Sequence, residues 1–516
     1  MPDRAAAAGG PTRSGLIDRI RLPLAVAAGV VMGLGQAPHD LWFIAFPGLV
    51  AAIWLFLSTS GRQGAAALTG WAVGLGYFGF SMSWIVEPFL VDAATTGWMA
   101  PFGLIGLAGG LALFWALAFW LAPLVRFPAV ALALTWTAAE LARAYVLTGF
   151  PWGAVAYVWL PVPVMQWAAV VGPHGLTLAT LVAASLLALA LRPGRFRIAE
   201  GAAGLTALLL LFGGGALLTP PAQDLTGRLT VRLVQPNAAQ HEKWDPQKIP
   251  IFIDRKLRYT SAGPEPGTAP PDLIIWPETS VPSLLHNSGP FLQRVAAAGG
   301  AAQVVVGVQR ADEGGYYNSL AALSPDGAVS QLYDKHHLVP FGEYMPAAAL
   351  FRRWNIAGLA ARAEGGYSPG PGPRVIELGA LGTALPLICY EAVFAQDVNG
   401  APTRPDMLLQ ITNDAWFGTW SGPFQHLAQA RIRAIEQGLP MLRAANTGVS
   451  AVIDGAGRVL ADLPLGEAGY LDAPLPPPLR VTPYSRTGDL PVTLALIFTI
   501  AGLMVARHLK RREVFD

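Results

Sequence analysis

Leu385-Pro386-Leu387-Ile388-Cys389-Tyr390-Glu391 is the stretch on which the reading of this chain turns. An apolar run carries one thiol to the end of a buried strand. A polar, turn-prone segment from Gln396 to Pro405 follows. Cys389 is the only cysteine in the sequence. It cannot form an internal disulfide, so it is either inert packing or a reactive group. Alone on an apolar strand, a cysteine is more often packing. Two other strand ends shift that balance.

The first is Leu273-Ile274-Ile275-Trp276-Pro277-Glu278-Thr279-Ser280. A buried strand stops at Pro277, and Glu278 is the first polar side chain beyond it. Strand ends of α/β sheets gather catalytic groups. An apolar surround raises a carboxyl pKa, which suits a general base. The second is Tyr333-Asp334-Lys335-His336-His337-Leu338-Val339-Pro340-Phe341-Gly342-Glu343-Tyr344. Lys335 is one of few lysines. An ammonium beside a thiol favours the thiolate and can face the oxyanion of a tetrahedral intermediate. Taken singly, Glu278 and Lys335 also read as solvated loop charges. His336 and His337 lack helical ligand spacing, and no metal site or cofactor is expected. In the order Glu278, Lys335, Cys389, each at the end of an apolar strand, the three form a specific signal.

Composition sets the surroundings. The chain has 516 residues, 53% hydrophobic and 13% charged, where soluble domains carry about 25% charged residues. It therefore reads as largely membrane-embedded. A net charge of +2 gives no reason to expect nucleic acid. Apolar blocks fall at about Leu22–Gly35, Leu41–Leu57, Ala65–Val86, Met99–Ala122, Ala129–Val146, Met165–Leu191 and Ala202–Leu218, with an eighth at Leu490–Ala506. Most approach the ~20 residues that span a bilayer. Trp42, Trp84, Trp98, Trp159 and Trp167 fall near block ends, where interfacial aromatics are expected. The expected plan is a tail over 1–21, a seven-span bundle over 22–218, a water-soluble domain over 219–489, a last span over 490–506 and a tail over 507–516.

Arg62, Arg126, Arg192, Arg195 and Arg197 follow even-numbered blocks. Alternating basic loops place both termini in the cytoplasm and the large domain outside; in a bacterium-like context the domain would be periplasmic and the membrane the inner one. Arg143 is the exception, and Glu140 one helical turn earlier is its expected partner. Transport is the rival role for the bundle. The acids Glu87, Asp92 and Glu140 lie near block ends rather than at mid-membrane, which disfavours a proton relay.

In the large domain Leu229–Gln235, Asp272–Trp276, Gln303–Gln309, Asn318–Leu323, Ala384–Cys389 and Met407–Thr412 read as strands. Pro290–Ala298 and Phe424–Gln437 read as helices, and the alternation predicts a layered α/β domain. Trp244 and Trp416 are each as consistent with core packing as with binding an apolar partner. The segment from Tyr344 to Leu359 mixes Met345, Leu350, Phe351, Trp354 and Ile356 with Arg352 and Arg353. It predicts an interfacial arm over the membrane that gates lipid entry.

The wording WPETS (276–280), DKHHLVPFGEYMP (334–346), LICYE (387–391) and NDAWFG (413–418) resembles the nitrilase, or carbon–nitrogen hydrolase, superfamily. With seven spans before and one after, it resembles within that group the bacterial apolipoprotein N-acyltransferase family, over essentially the whole chain. The resemblance implies an αββα sandwich and a Glu278–Lys335–Cys389 triad. It implies a phospholipid acyl donor, a Cys389 thioester and a diacylglyceryl-cysteine apolipoprotein as acceptor. A monomer is the expected state, on no motif of the sequence. Glu343 and Glu391 match acids that are functionally important in the family; they are expected to orient Lys335 and the Cys389 loop, with ordinary loop acids as the alternative, and Tyr390 is expected to pack beside the thiol. Trp244 and Trp416 resemble the family's mobile-loop tryptophans. The triad alone leaves open a membrane-tethered amidase acting on a small amide, because both reactions pass through a thioester.

Overall fold

The computed structural model describes residues 13–346 and 366–512. The arm expected at Tyr344–Leu359 falls almost wholly outside the described residues. Seven long helices open the chain: α1 (Arg13–Gly33), α2 (Trp42–Ser58), α3 (Gln63–Ser81), α4 (Ala100–Leu121), α5 (Pro128–Tyr145), α6 (Ala168–Ala190) and α7 (Arg197–Leu218). They coincide with the seven apolar blocks. Five segments of the described chain are long and apolar enough to cross a membrane: Ala93–Leu124, Pro128–Thr148, Pro163–Ala190, Arg197–Leu218 and Leu490–Leu509. The expectation of eight crossings rests on α1, α2 and α3 as well, which fall short of that measure. In α2 the reason is length, 17 residues. In α3 it is glycine, used to bring backbones together: a Cβ on Gly76 would lie 2.1 Å from the Val26 carbonyl oxygen of α1.

The outward faces of the bundle are apolar. Phe102, Ile105 and Leu113 of α4 and Leu205, Leu209 and Leu210 of α7 are all more than half exposed. Contiguous exposed apolar surface on this scale needs lipid or a partner to cover it. Trp84 and Trp159 depart from the interfacial expectation: both are buried within the protein. Glu140 pairs with Arg143 at 2.9 Å, fully buried, and accepts from the Trp115 indole at 2.8 Å. The predicted partner is the observed one.

Among the described residues the large domain holds twelve strands in two six-stranded sheets. The first contains β1 (Thr230–Gln235), β2 (Leu273–Ile275), β3 (Gln303–Asp312), β4 (Gly315–Leu323) and β5 (Val329–Asp334). The second contains β6 (Ile376–Glu377), β7 (Thr383–Ile388), β8 (Met407–Thr412), β9 (Met441–Ala445), β10 (Ser450–Ile453) and β11 (Val459–Leu463). β12 (Gly469–Pro474) returns to the first sheet, whose order is β12-β1-β2-β3-β4-β5; the second runs β11-β10-β9-β8-β7-β6. β1, β2 and β3 are parallel, as are β7, β8 and β9. Alternation assigns the faces. Leu273 and Ile275 point between the sheets with Ile388, Leu409 and Ile411. Ile274 and Trp276 point outward against Leu292 and Val295. Strands covered on both faces read as unbroken apolar runs, which is why they were visible in sequence.

Among the described residues, α8 (Ile249–Ser261), α9 (Gly289–Gly299) and α10 (Gly422–Gln437) cover the sandwich. The layers are α-β-β-α. α10 is buried on two faces. Ala430 and Ala434 pack on the second sheet. Ala428, Ile432 and Ile435 join the core of the membrane bundle, as do Tyr390, Val393 and Phe394. The loop that follows Cys389 therefore packs directly on the bundle. The last helix, α11 (Leu490–Arg512), rests on α5 and α6.

Candidate active site

Glu278, Lys335 and Cys389 follow the carboxyl ends of β2, β5 and β7. All three side chains are buried. Their charges are coupled: Glu278 and Lys335 both act on the Cys389 thiol. The structure thus brings together the three residues singled out from sequence.

Glu278 is aimed by a tight turn. Ser280 and Val281 donate to the Gly307 carbonyl at 2.8 and 3.1 Å, and Thr279 takes a left-handed backbone with φ 46°. The turn lies so close to β3 that a Cβ on Gly307 would sit 2.4 Å from the Pro277 carbonyl oxygen and 2.7 Å from Glu278 Cα. Burial raises the Glu278 pKa, against the pull of Lys335. Asn318 of β4 donates to its Oε1 at 2.6 Å.

Lys335 is fixed by Glu343, whose two oxygens lie 2.9 and 2.8 Å from Nζ. Glu343 also accepts from the Val339 N–H at 2.8 Å and lies 3.3 Å from the Asn318 amide. Burial works against the Lys335 charge, but Glu343 and Glu278 outweigh it, so the ammonium persists.

The thiol does not behave as the sequence suggests. Lys335 pulls the Cys389 pKa down, but burial and the Glu278 charge push it well above the ordinary value. Cys389 therefore rests as a thiol, and any attack by its sulfur would have to release that proton. A buried carboxylate with a raised pKa, such as Glu278, is the kind of group that could take it. Cys389 has φ 53°, which turns the chain sharply out of β7.

Glu391 is fully buried and ties this elbow to the Lys335 loop. Its Oε2 accepts from the Ile388 N–H at 2.7 Å. Its Oε1 accepts from the Tyr333 hydroxyl and the His336 N–H, both at 2.8 Å. His336 and His337 are engaged with Glu391 and Asp397. The His337 ring stacks on Phe394 at 3.6 Å. Tyr390 is buried, its ring 4.8 Å from Phe394. Trp244 is 41% exposed. Trp416 is half-buried, and Trp420 in the same loop is the open one, at 65% exposure.

Sequence reasoning missed several groups. Lys243 donates to the Glu278 carbonyl at 3.1 Å and to the Thr279 hydroxyl at 2.5 Å. Burial pushes its pKa down to about 8, against the pull of Glu278. Lys256, pushed down by burial to about 7, lines with it a cavity of about 20 Å³, room for roughly one water. Asn318, Gln410, Asp414, His426 and Arg443 are also buried around the elbow. Their signal in sequence was polarity at positions where the strand or helix pattern demanded burial.

Residues 28–186 match the apolipoprotein N-acyltransferase N-terminal domain, and residues 233–482 match the carbon–nitrogen hydrolase family. An apolipoprotein N-acyltransferase of Rhodopseudomonas palustris is 38% identical over 95% of this chain and 98% of its own. The chain belongs to the apolipoprotein N-acyltransferase family. Further members come from Caulobacter vibrioides, 38% identical over 94% of each chain, and Brucella melitensis, 34% identical over 95% of this chain and 96% of its own. A carbon–nitrogen hydrolase superfamily protein of Xanthomonas campestris aligns with 52% of this chain and 97% of its own, at 23% identity and a TM-score of 0.34. As a member of the N-acyltransferase family, the chain is an acyltransferase of the carbon–nitrogen hydrolase superfamily, and the small-amide alternative is not favoured.

Proposed function

We propose that this protein transfers an acyl chain from a phospholipid, through a Cys389 thioester, to the N-terminal α-amine of diacylglyceryl-cysteine apolipoproteins. One observation carries the reading: a buried thiol coupled to Glu278 and Lys335 lies in a loop packed onto the membrane bundle.

In the first half-reaction Glu278 takes the thiol proton as sulfur attacks the ester carbonyl. The oxyanion develops beside Lys335, which Glu343 holds in place. The carbon–oxygen bond breaks, and Glu278 gives its proton to the departing lysophospholipid oxygen. In the second, the acceptor amine attacks the thioester and Glu278 takes its proton. An α-amine has a pKa near ~7.7–8.0, so little driving force is needed. The thiolate leaves and is reprotonated. Burial of all three side chains keeps water from the thioester.

The loop charges favour a multi-pass protein of the bacterial inner membrane with its catalytic domain in the periplasm. Trp244, Trp416 and Trp420 lie on loops suited to contact apolar substrate chains. Purified protein mixed with phospholipid should gain one acyl mass. Cys389→Ala should not. Hydrolysis of small amides with no lipid adduct would reject the reading.

A further inference from the structure

The reaction above uses an acid, an amine and a thiol, and leaves a buried polar group directly behind the thiol unassigned. Cys389 is a residue with a β-carbon held at φ 53°. Such a backbone is unfavourable and persists only where its surroundings over-determine it. Here the constraint acts on the Cys389 carbonyl. The Gln410 amide donates to it at 3.2 Å, and His426 Nε2 lies 3.0 Å away. Gln410 and His426 are fully buried, one on β8 and the other on α10.

The proton inventory orders these contacts. Arg443 donates to Gln410 Oε1 at 2.6 Å and also pairs with Asp414. That fixes the Gln410 amide with its nitrogen toward the Cys389 carbonyl. Burial works against the Asp414 charge, but Arg443 and His426 outweigh it, so the carboxylate is ionised. It can only accept, and His426 Nδ1, 2.8 Å from its Oδ1, therefore carries a hydrogen. Burial and the Arg443 charge keep the ring neutral, so Nε2 accepts. Gln410 Nε2 lies 3.1 Å from it. The two amide hydrogens of Gln410 thus divide between His426 Nε2 and the Cys389 carbonyl. The ring itself has no freedom: Trp152 and Phe417 each pack 5.6 Å from it.

We propose that Gln410 and His426 are a positioning pair for acyl transfer: His426 Nε2 accepts from the Gln410 amide and holds it in place, and Gln410 grips the Cys389 carbonyl so that the left-handed elbow presents its sulfur to Glu278 and Lys335. The pair touches no reacting atom and acts through the nucleophile's backbone. The inference rests on the thioester reading, and the two can fail separately.

The test is single-turnover acylation by phospholipid in mixed micelles, followed by intact mass. Gln410→Met and His426→Leu should slow it about 100-fold, the scale of a misplaced nucleophile, while the half-saturating phospholipid concentration stays within about threefold. His426→Gln keeps an acceptor for the Gln410 amide and should recover about tenfold over His426→Leu. If His426→Leu does not fold, Gln410→Met and His426→Gln carry the test. Alkylation of Cys389 by iodoacetamide gives a lipid-free readout: its pH profile should move in both variants toward that of an ordinary thiol, near ~8.5. Folded variants with wild-type rates, a half-saturating concentration that rises in step with the loss, or unmoved alkylation profiles would overturn the pairing. A wild-type protein that forms no adduct would instead sink the thioester reading, and the alkylation profiles would still judge the pair.

Discussion

The side-chain amide of Asn318 donates to Glu278 Oε1 at 2.6 Å, a direct polar link between β4 and the turn that carries the carboxylate. Its second role is spatial. Lying also 3.3 Å from Glu343 Oε1, it stands between two carboxylates that would otherwise repel one another, and Glu343 already raises the Glu278 pKa.

Removing that amide should shift the pH profile in a defined direction. The hydrogen bond favours the ionised Glu278 and so lowers its pKa. Asn318→Leu deletes it, and the pKa climbs further. Glu278 acts as base only when ionised, so the acidic limb of the acylation profile moves to higher pH. A hydrogen bond to a charged group contributes about 1.5–3 kcal/mol, or about one to two pH units. Single-turnover acylation from pH 5 to 9 measures it; a limb that stays put or moves to lower pH removes Asn318 from the account.

Gly307→Ala should separate activity from stability. The added methyl meets backbone, the Pro277 oxygen at 2.4 Å and Glu278 Cα at 2.7 Å, and backbone cannot rotate away. The acid-bearing turn must lift from β3. Overpacking of this kind costs about 1–3 kcal/mol, which a domain with two large cores tolerates. Displacing Glu278 by about 1 Å should slow acylation about 100-fold. Thermal melts with acyl-adduct rates check both halves. A wild-type rate in the variant would show that the turn's height over β3 does not matter.

Much of this was legible beforehand, and the reason is burial. β2, β3, β7 and β8 are covered on both faces, so they appear as apolar runs, and Glu278 and Cys389 mark where those runs stop. β5, β6 and β9 to β12 were not anticipated: β5 and β11 lie at sheet edges with mixed exposure, and their patterns resemble loops. α8 was missed because Pro250 and a run of charges hide its apolar stripe. The thiol's behaviour was misjudged for another reason. Sequence shows that a lysine is near, but only structure shows that burial and a carboxylate outweigh it. Asp414, His426 and Arg443 were invisible as a group because their meeting is set by the sheet, through strands β8 and β9.

Lys335 and Glu343 should part chemistry from folding. Lys335 is 1% exposed and Glu343 12%. Removing one partner of a buried pair costs about 3–5 kcal/mol, while removing both together costs less. Lys335→Met leaves Glu278 and Glu343 facing each other. Glu343→Gln leaves a buried ammonium. The double variant should melt above either single variant. Acylation should fall about 100–1000-fold wherever Lys335 is lost, including in the double. A double variant that regains activity would mean the ammonium does not serve the oxyanion.

The contact between the membrane bundle and the nucleophile gives the last prediction. Gln425 precedes His426 on α10. Its Oε1 accepts from the indoles of Trp84 at 3.1 Å and Trp152 at 2.7 Å, and its Nε2 donates to the Ser81 carbonyl at 2.9 Å. All these groups are buried, and Trp84, Trp152 and Ser81 belong to the bundle side. Gln425→Leu strands two indole N–H groups and a carbonyl, each at about 1–3 kcal/mol. Trp152→Phe removes one indole donor and leaves the Trp84 and Ser81 links intact, so its loss should be smaller. Because the next residue contacts the Cys389 carbonyl, loosening α10 should slow acylation as well as lower the melting temperature. Hydrogen exchange over 422–437, measured in detergent with acyl-adduct rates, should show faster exchange and slower acylation together, Gln425→Leu more than Trp152→Phe. Faster exchange with an unchanged rate would reduce the bundle to an anchor.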